Sequence, residues 1–270
     1  MELKNAVCIV TGSASGIGAA CAILLAGKGA RVVVNYSKSE EAARATQKAC
    51  EAAGGEALLV KADVAQDADC RRLAQAALDK WGRIDALVNN AGTTKFANHA
   101  DLDALSAEDF QRIYAVNVVG TYQMVRACEA AMKKSGRAAV VNVSSIAGKN
   151  GMGSSIAYAA SKGALNTMTM SLARVLGPEI RVNAVCPGMV DTKWLREGYG
   201  ARYAAIEARY REGTPLGRPG TPEEVAAVIV WLIEGADLIT GDTIMVDSGM
   251  HMGLMPTGRT AHESRTAPAK

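Results

Sequence analysis

The sequence has few aromatic residues: they make up 4% of its 270 residues, whereas 49% of the residues are hydrophobic. Proteins that stack nucleic-acid bases need exposed aromatic rings, so this composition disfavours such a platform. An excess of one charge is also lacking, because 30 Lys and Arg stand against 27 Asp and Glu without a basic block. We therefore expect a soluble globular protein that does not bind nucleic acid.

Long apolar runs and metal-binding spacings are absent as well. The longest apolar runs, such as Ala226–Ile233, are far shorter than the roughly 20 residues of a membrane span. The first residues do not have the layout of a signal peptide. The six Cys form no C-x-x-C pair and no Cys/His spacing typical of zinc. We expect a cytoplasmic protein with no membrane partner, no disulfide and no metal.

The chain alternates short runs rich in Val and Ile with Ala-rich stretches of helical period. Continuous apolar strands are typical of a parallel sheet that is buried on both faces. This pattern predicts an α/β fold, a single doubly wound domain with a seven-stranded parallel sheet and helices on both faces. The predicted strands are Ala6–Val10, Arg31–Asn35, Glu56–Val60, Ala86–Val88, Ala138–Val143, Arg181–Val185 and Thr243–Val246. The predicted helices cover about 17–28, 39–53, 67–80, 107–134, 156–176 and 222–234.

Two segments depart from this alternation. Residues 188–220 form a long connection with several aromatic and charged side chains, which predicts a substrate loop. In that loop, Trp194 and Tyr199 fit either an apolar lid or ordinary anchors that fix the loop. Residues 255–270 are polar, and we expect a flexible tail there, after a domain that covers 1–254.

A glycine-rich turn, Thr11–Gly18 with the sequence T-G-S-A-S-G-I-G, follows the first predicted strand. A strand, a glycine loop and a helix start gather backbone N–H groups and the positive helix end at one point, which suits a pyrophosphate. No Gly-Lys-Ser/Thr follows, so a P-loop is disfavoured. The glycines alone are also compatible with a purely structural turn.

A second motif is Tyr158 with Lys162, four residues apart on one face of a predicted helix. A cation beside a phenol lowers the phenol's pKa below its ordinary value of about 10. Such a tyrosine can exchange a proton with a carbonyl or alcohol substrate, and Ser145 can supply a hydroxyl to the same oxygen. A Tyr/Lys pair at this spacing, taken alone, is more often a solvated surface pair.

The motifs together resemble the short-chain dehydrogenases/reductases, which are single-domain Rossmann oxidoreductases. The resemblance covers about residues 4–250. Five motifs agree in type, order and spacing: Thr11–Gly18, Asn89–Gly92, Ser145, Tyr158 with Lys162, and Pro187-Gly188. It implies hydride transfer between a nicotinamide cofactor and a small carbonyl or alcohol substrate.

The resemblance also implies a role for each matched residue. Tyr158 is the catalytic acid/base, Lys162 lowers its pKa and binds the nicotinamide ribose, and Ser145 stabilises the substrate oxygen. Asn117 matches the asparagine that holds a water in the proton relay. Within the cofactor set, Asp63 and Val64 are expected at the adenine, Asn90 at its ribose and Thr192 at the carboxamide. The full set is Gly12, Ser15, Gly16, Ile17, Gly18, Asn35, Tyr36, Ser37, Asp63, Val64, Asn90, Ala91, Gly92, Tyr158, Lys162, Pro187, Gly188, Val190 and Thr192.

The choice between NADP(H) and NAD(H) depends on the end of the second strand. An NAD-selective site places Asp or Glu there, where it binds the ribose 2′-OH. Here the stretch is Val34-Asn35-Tyr36-Ser37-Lys38, with no acid and with a lysine that would attract a 2′-phosphate. Ser15, however, stands where many NADP-dependent members carry a basic residue. NADP(H) is favoured, and NAD(H) stays open.

The substrate is less well defined. The stretch Asn35-Tyr36-Ser37 and the turn Leu216–Pro219 resemble bacterial 3-oxoacyl-acyl-carrier-protein reductases and glucose-dehydrogenase-like relatives, which share a scaffold but not a substrate. The leading hypothesis is a 3-oxoacyl-thioester reductase or general ketoreductase, and the alternative is a sugar, polyol or secondary-alcohol dehydrogenase. A non-catalytic cofactor sensor is a third, disfavoured by the intact Ser145, Tyr158 and Lys162 set. Family members are commonly tetramers, so a homotetramer is expected through the helices at 107–134 and 156–176.

Overall fold

A parallel sheet of seven strands forms the centre of the computed structural model, which describes residues 1–253. The strands pair in the order β3-β2-β1-β4-β5-β6-β7, which confirms the predicted doubly wound sheet. Because the order reverses between β1 and β4, the carboxyl ends of these two strands flank the crevice where such sheets bind ligands. The strands are β1 (Val7–Val10), β2 (Arg31–Tyr36), β3 (Glu56–Lys61), β4 (Ala86–Asn89), β5 (Ala138–Val143), β6 (Ile180–Pro187) and β7 (Thr243–Val246).

Helices cover both faces of this sheet. One face packs against α1, α2 and α10, and the other packs against α3, α5 and α7. The helices are α1 (Gly16–Gly27), α2 (Glu40–Ala52), α3 (Asp67–Trp81), α4 (Ala107–Tyr114), α5 (Thr121–Ser135), α6 (Ala147–Asn150), α7 (Ile156–Leu176), α8 (Lys193–Tyr199), α9 (Tyr203–Gly213) and α10 (Pro222–Glu234). Among residues 1–253, none of the helices is long and apolar enough to cross a membrane.

The alternation of side chains along each strand divides the core into two layers. Cys8 and Val10 face the layer of α1 and α10, whereas Val7 and Ile9 face the layer of α3 and α5. Small residues such as Ala and Cys let the helices lie close to the sheet, which is why few aromatic rings are needed. All six Cys are buried free thiols, and burial raises the pKa of Cys128 to about 12.

The helix predicted at 107–134 is interrupted. A π-helical segment, Ala115–Gly120, separates α4 from α5 and carries the predicted Asn117. Gly120 closes the segment against the neighbouring strand end: a Cβ there would lie 2.8 Å from the carbonyl oxygen of Val64. Such segments are rare and are found disproportionately at functional sites.

The predicted substrate loop is largely helical. Two helices, α8 and α9, occupy residues 193–213, with a 3-10 turn at Gly200–Arg202 between them. Thr192 caps α8 by accepting a hydrogen bond from the backbone N–H of Leu195, and Gly200 ends the helix at a positive φ of 53°. We call residues 189–213 the lid. The tail predicted at 255–270 lies outside the described residues.

Candidate active site

The glycine loop between β1 and α1 folds tightly over the end of β4. Gly12 and Gly16 have φ values of +61° and +56°, which L side chains rarely adopt. A Cβ on Gly12 would lie 2.8 Å from the Cα of Ala91. Glycine at position 12 therefore permits both the turn and the close approach of the two strand ends.

Asn35 holds this loop from the neighbouring strand. Its Oδ1 accepts a hydrogen bond from the backbone N–H of Gly12 at 3.0 Å, and its Nδ2 donates to the carbonyl of Ala62 at 3.0 Å. The side chain is only 2% exposed. Asn35 was predicted as a cofactor contact, and in the structure its side chain hydrogen-bonds to the glycine loop. Direct contact with the cofactor stays a prediction.

Asn90 holds the loop from the other side. Its Nδ2 donates to the carbonyls of Thr11 and Gly12, both at 2.9 Å, while the hydroxyl of Thr11 accepts from the backbone N–H groups of Asn90 and Ala91. A Cβ on Gly18 would lie 2.4 Å from Asn90 Nδ2. The predicted contact of Asn90 with the ribose remains untested. The hydrogen bonds of the Asn90 side chain to the loop were not predicted from the sequence. The hydrogen bonds of the Thr11 hydroxyl to the backbone of Asn90 and Ala91 were not predicted either.

A cradle for a dinucleotide runs from this loop to the lid. Ser15 occupies the N-cap of α1, and among the described residues its hydroxyl makes no capping hydrogen bond. A Cβ on Gly16 would lie 3.6 Å from Thr192 Cγ2, and one on Gly92 would lie 3.8 Å from Lys162 Nζ. Gly16 and Gly92 therefore leave space between the glycine loop, the lid and Lys162 that a side chain would occupy. Gly12, Gly16, Gly92, Lys162 and Thr192 fit a bound nicotinamide dinucleotide.

The adenine end of the cradle contains a charge that was not predicted. Tyr36 ends β2, and its phenol hydrogen-bonds to Glu40, an acid at the start of α2. Glu40 in turn accepts a hydrogen bond from Arg44 at 2.6 Å, and this contact lowers the pKa of its carboxyl. The strand end itself has no acid, as expected, but an acid one helical turn away reaches it through Tyr36.

The remaining predicted residues of the adenine end border the same edge. Ser37 is exposed after β2, and Asp63 is exposed after β3, where its Oδ1 accepts from the backbone N–H of Ala65 at 3.0 Å. Val64 is buried, and its carbonyl accepts from Gln123 Nε2 at 3.0 Å. Ile17 lies in the first turn of α1, partly buried against the core.

Ser145, rather than Ser144, faces Tyr158. Ser144 is buried, and its hydroxyl donates to the carbonyl of Lys162 at 3.3 Å. Ser145 is partly exposed and accepts from the backbone N–H of Ala147 at 3.1 Å, and its hydroxyl lies near enough to the phenol of Tyr158 to lower the pKa of that phenol. This pair places a hydroxyl and a phenol where both can meet one substrate oxygen.

The pKa of the Tyr158 phenol differs from the sequence-based expectation. Burial raises it to about 12, and the hydrogen bond with Ser145 opposes this only in part. Lys162 was expected to lower it, but its Nζ lies 5.6 Å from the centre of the Tyr158 ring and donates to the carbonyl of Val143 at 2.7 Å. Burial also lowers the pKa of Lys162 to about 8. In the protein alone, loss of water outweighs the effect of the cation.

Asn117 links the segment after β4, which contains Thr93, to α7, which contains Ser161. Its Oδ1 accepts from the backbone N–H of Thr93 at 2.8 Å, and its Nδ2 donates to the Thr93 carbonyl and to Ser161 Oγ, each at 3.0 Å. Ser161 donates onward to the carbonyl of Tyr158 at 2.7 Å. The side chain is therefore engaged in positioning, and the water-holding role expected for Asn117 stays a prediction.

The nicotinamide end is built from the turn after β6. The carbonyl of Pro187 accepts from the backbone N–H of Ile146 at 3.0 Å, which ties this turn to the Ser145 loop. A Cβ on Gly188 would lie 2.5 Å from the hydroxyl of Tyr210, so the lid closes tightly here. Val190 is buried and forms a β-bridge with Gly220 at the end of the same connection.

Aromatic rings gather on the substrate side of Tyr158. Trp194 on α8 lies 6.4 Å from the Tyr158 ring, centre to centre, and 5.5 Å from Phe96. Phe96 also packs edge-on against Tyr199 at 5.0 Å. Nothing in the sequence pattern pointed to Phe96, because it stands alone in the irregular segment after β4. We call Phe96, Trp194 and Tyr199 the aromatic wall.

Comparison with known proteins agrees with this geometry. The family model described as enoyl-(acyl carrier protein) reductase matches residues 12–251. A granaticin polyketide synthase protein of Streptomyces violaceoruber, with a proposed ketoacyl reductase activity, is 45% identical over 246 residues, covering 91% of this chain and 96% of that protein. A 3-oxoacyl-[acyl-carrier-protein] reductase of Synechocystis is 38% identical over 253 residues, covering 93% and 98%.

A solved structure gives the same result. The crystal structure of a protein from Burkholderia xenovorans, proposed to be a short-chain dehydrogenase/reductase, matches with a TM-score of 0.87 and 44% identity, covering 92% of this chain and 99% of that one. The residues matched by the family model, 12–251, include Gly12, Gly16 and Gly18 of the glycine loop, the Ser145–Tyr158–Lys162 group and the lid. The chain belongs to the short-chain dehydrogenase/reductase family of oxidoreductases.

Proposed function

We propose that this protein is an NADP(H)-dependent ketoreductase that reduces the keto group of a 3-oxoacyl thioester to a secondary alcohol. The observation that carries this proposal is the juxtaposition of the Ser145 hydroxyl with the Tyr158 phenol, whose pKa Ser145 lowers, together with Lys162 beside Gly92. When bound, the nicotinamide supplies the hydride. The names of the Streptomyces and Synechocystis relatives support a 3-oxoacyl substrate.

Tyr158 acts as the acid in the proposed reduction. Because burial raises its pKa to about 12, the phenol is protonated at neutral pH and can donate its proton to the substrate oxygen. The hydroxyl of Ser145 hydrogen-bonds to the same oxygen as negative charge develops there.

Lys162 has a positioning and electrostatic role. With a pKa of about 8 its ammonium is mostly charged at pH 7, and Val143 fixes it beside Gly92. There it would hold the hydroxyls of the nicotinamide ribose. The same charge would stabilise the phenolate left on Tyr158 after proton donation.

The charges at the end of β2 support NADP(H) over NAD(H). The acid Glu40 is paired with Arg44, and Lys61 adds a further positive charge next to Glu40. Lys38 is exposed two residues beyond Tyr36. Lysine and arginine therefore outnumber the one acid coupled to this strand end, which suits a 2′-phosphate.

The cofactor proposal is tested by comparing kcat/KM for NADPH and NADH in wild-type protein, Lys38→Ala and Lys48→Ala. We expect NADPH to be preferred and the preference to fall several-fold in Lys38→Ala only. Lys48 is a matched control because it is an exposed lysine on α2. An NADH preference in the wild type would overturn this part of the proposal.

The substrate proposal is tested with a panel of acetoacetyl thioester, glucose and simple ketones, each with both cofactors. We expect the thioester to be reduced with the highest kcat/KM. A higher value for oxidation of glucose or another alcohol would instead favour a sugar, polyol or secondary-alcohol dehydrogenase. Tight cofactor binding with no turnover on any member would leave the non-catalytic alternative.

We also propose that the protein is a cytoplasmic homotetramer. Six buried, unpaired thiols suit a reducing compartment. Large apolar side chains are exposed on the two helical regions expected to assemble, among them Tyr122 at the start of α5 and Val175 near the end of α7. Light scattering should give the mass of a tetramer, and Tyr122→Glu should lower that mass, whereas Leu238→Glu, outside both regions, should not.

A further inference from the structure

We propose that the aromatic wall selects ketones that carry a flat ring next to the reacting carbonyl. This inference rests on the proposed ketoreductase function and names its substrate class. The wall is Phe96, Trp194 and Tyr199, and it reaches the reacting group through the 6.4 Å contact between the Trp194 and Tyr158 rings. A carbonyl that accepts a proton from Tyr158 therefore has its substituent beside Trp194.

The geometry of the wall is that of interacting aromatic rings. The centres of Phe96 and Trp194 are 5.5 Å apart with the planes tilted by 56°, and those of Phe96 and Tyr199 are 5.0 Å apart with the planes at 75°. These spacings lie within the range in which edge-to-face contacts add to simple burial. A further ring placed beside Trp194 would extend the same arrangement, which a saturated group of equal size would not.

Phe96 is fitted closely under α8. A Cβ on Gly198 would lie 1.9 Å from the Phe96 ring, so only glycine at position 198 lets the helix rest on that ring. Phe96 comes from the segment after β4 and Trp194 from the lid. The wall is thus assembled from two distant parts of the chain and fixed by a contact that tolerates no side chain.

Trp194 presents a free surface at this position. It is 45% exposed although it is large and apolar, and it lies against the candidate acid. The charged neighbours on α8 are paired with each other or with the lid: Arg196 with Asp191 at 2.6 Å, and Lys193 with Glu197 at 3.6 Å. The wall therefore presents rings instead of charges to a ligand.

A cationic ligand would also suit aromatic rings, but the surroundings disfavour one. Lys162 Nζ lies 5.6 Å from the centre of the Tyr158 ring, so a second cation beside Trp194 would be repelled. A neutral ring avoids this repulsion and keeps the aromatic contact. A neutral aryl ketone is the occupant that both the rings and the charge favour.

The test measures the ratio of kcat/KM for ethyl benzoylacetate to that for its cyclohexyl analogue, with NADPH as the reductant. Conjugation of the phenyl ring changes the reactivity of its carbonyl in every variant alike, so the ratio is compared between variants. The wild-type ratio should be between about two- and tenfold higher than the ratio in Trp194→Ala, the range expected for one aromatic pair, and Phe96→Leu should lower it in the same direction. Trp231→Phe should leave it unchanged, since Trp231 is equally exposed, at 45%, but lies on α10.

The outcomes separate this inference from the proposed function. A ratio that is the same in the wild type and in Trp194→Ala would overturn the aromatic selection and leave the ketoreductase function standing. No reduction of any carbonyl in the panel would overturn the function instead. Binding is then read separately: the phenyl ketone should quench tryptophan fluorescence in the wild type and in Trp231→Phe but not in Trp194→Phe. Equal quenching in all three would contradict the site.

Discussion

The glycine loop and the lid both border the cradle, but different forces hold them in place. In the loop, side chains from three strand ends bond to the backbone: the buried Asn35 and the partly buried Asn90 each engage Gly12, and the buried Thr11 engages Asn90 in return. In the lid, every residue of α8 is at least partly exposed, and the contacts are ring pairs and surface ion pairs. Buried, fully paired networks fix one geometry, whereas exposed contacts tolerate change.

We connect the glycine loop with the placement of the cofactor for hydride transfer, and the lid with the choice of substrate. Hydride transfer needs the cofactor at one place relative to Tyr158, and Gly12 in the loop is held by both Asn35 and Asn90. Substrate identity depends on residues that can be replaced without unfolding the sheet. A few anchors, such as the bond from the Tyr210 hydroxyl to the carbonyl of Asp247, join the lid to the core. The predictions below test this contrast, starting with the largest effect.

Tyr158→Phe should remove most turnover. The loss of the phenol hydroxyl, the proposed general acid, should lower kcat about a thousandfold, the usual contribution of general acid catalysis. Cofactor Kd and Tm should stay close to the wild type, because the ring and its contact with Trp194 remain. Steady-state kinetics and cofactor titration measure the two parts. Wild-type kcat in this variant would show that another group donates the proton.

Gly18→Ala should disturb the loop from within. The new Cβ would lie 2.4 Å from Asn90 Nδ2 and 2.6 Å from the Gly12 carbonyl oxygen, so the hydrogen bond between these two groups must shift. Overpacking of this kind costs about 1–3 kcal/mol, and NADPH affinity should fall about tenfold. Gly27→Ala is the control on the same helix, since its Cβ meets no atom closer than 3.8 Å. Equal Kd values in the two variants would argue against a rigid loop.

The fold could be predicted in most of its elements because each strand is read from its own residues. The strand Ala138–Val143 has the predicted limits, since an apolar run between Gly136 and Ser144 leaves few alternatives. The break at Ala115–Gly120 had no such local cause, because the close approach of Gly120 to Val64 depends on a residue far away in the sequence. The two lid helices were missed for a different reason: their charged and aromatic residues have no clear apolar period.

The rate of reduction should fall above pH 8. Burial lowers the pKa of Lys162 to about 8, so its charge is present below that pH and is lost above it. Tyr158, with a pKa of about 12, stays protonated and adds no limb in this range. kcat/KM should decline by up to about tenfold per pH unit beyond the midpoint. In Lys162→Arg the limb should move to higher pH, whatever the residual rate, and a flat wild-type profile to pH 10 would contradict the assignment.

The sequence could propose Tyr158 and Lys162 as site residues because several motifs agree in order and spacing, and their roles stay predictions. The site could not be predicted where a side chain is engaged by its neighbours. The amides of Asn35 and Asn90 were expected at the cofactor, yet their hydrogen bonds to the loop depend on strands that meet only in the folded sheet. The expected lowering of the Tyr158 pKa rested on the spacing of Lys162 alone. That spacing carries no information about burial, which raises the pKa of the phenol.

Asp191→Asn should loosen the lid with a smaller effect. The Asp191 carboxylate accepts from Arg196 at 2.6 and 2.7 Å and from the hydroxyl of Tyr203 at 3.0 Å, so it joins α8 to α9. Its loss should raise KM about threefold to tenfold with little change in kcat, as expected when an interaction that supports the ground state and the transition state equally is removed. Glu207→Gln is the control, because Glu207 pairs with Arg211 inside α9. Equal KM changes in both variants would mean that any lid charge matters.

Glu224→Gln should have the smallest effect of all. Glu224 closes the N-terminal capping box of α10, directly after the lid connection, and its Oε2 accepts from Arg218 at 2.8 Å. Arg218 and the Thr221 N–H lower the pKa of the carboxyl to about 2. The charge therefore adds stability above the ordinary pKa of 4.5, and this gain is lost as pH falls towards 2.

Gln keeps the capping acceptor but not the charge, so the free energy of unfolding should fall by less than about 1 kcal/mol at pH 7. The difference between Glu224→Gln and the wild type should then disappear in acid, as measured by denaturant unfolding at pH 7 and pH 2.5. A loss of several kcal/mol at pH 7 would contradict the contrast drawn above. It would mean that the exposed pair of Arg218 and Glu224, which follows the lid in the chain, is as strongly coupled to the fold as the hydrogen bonds that hold the glycine loop.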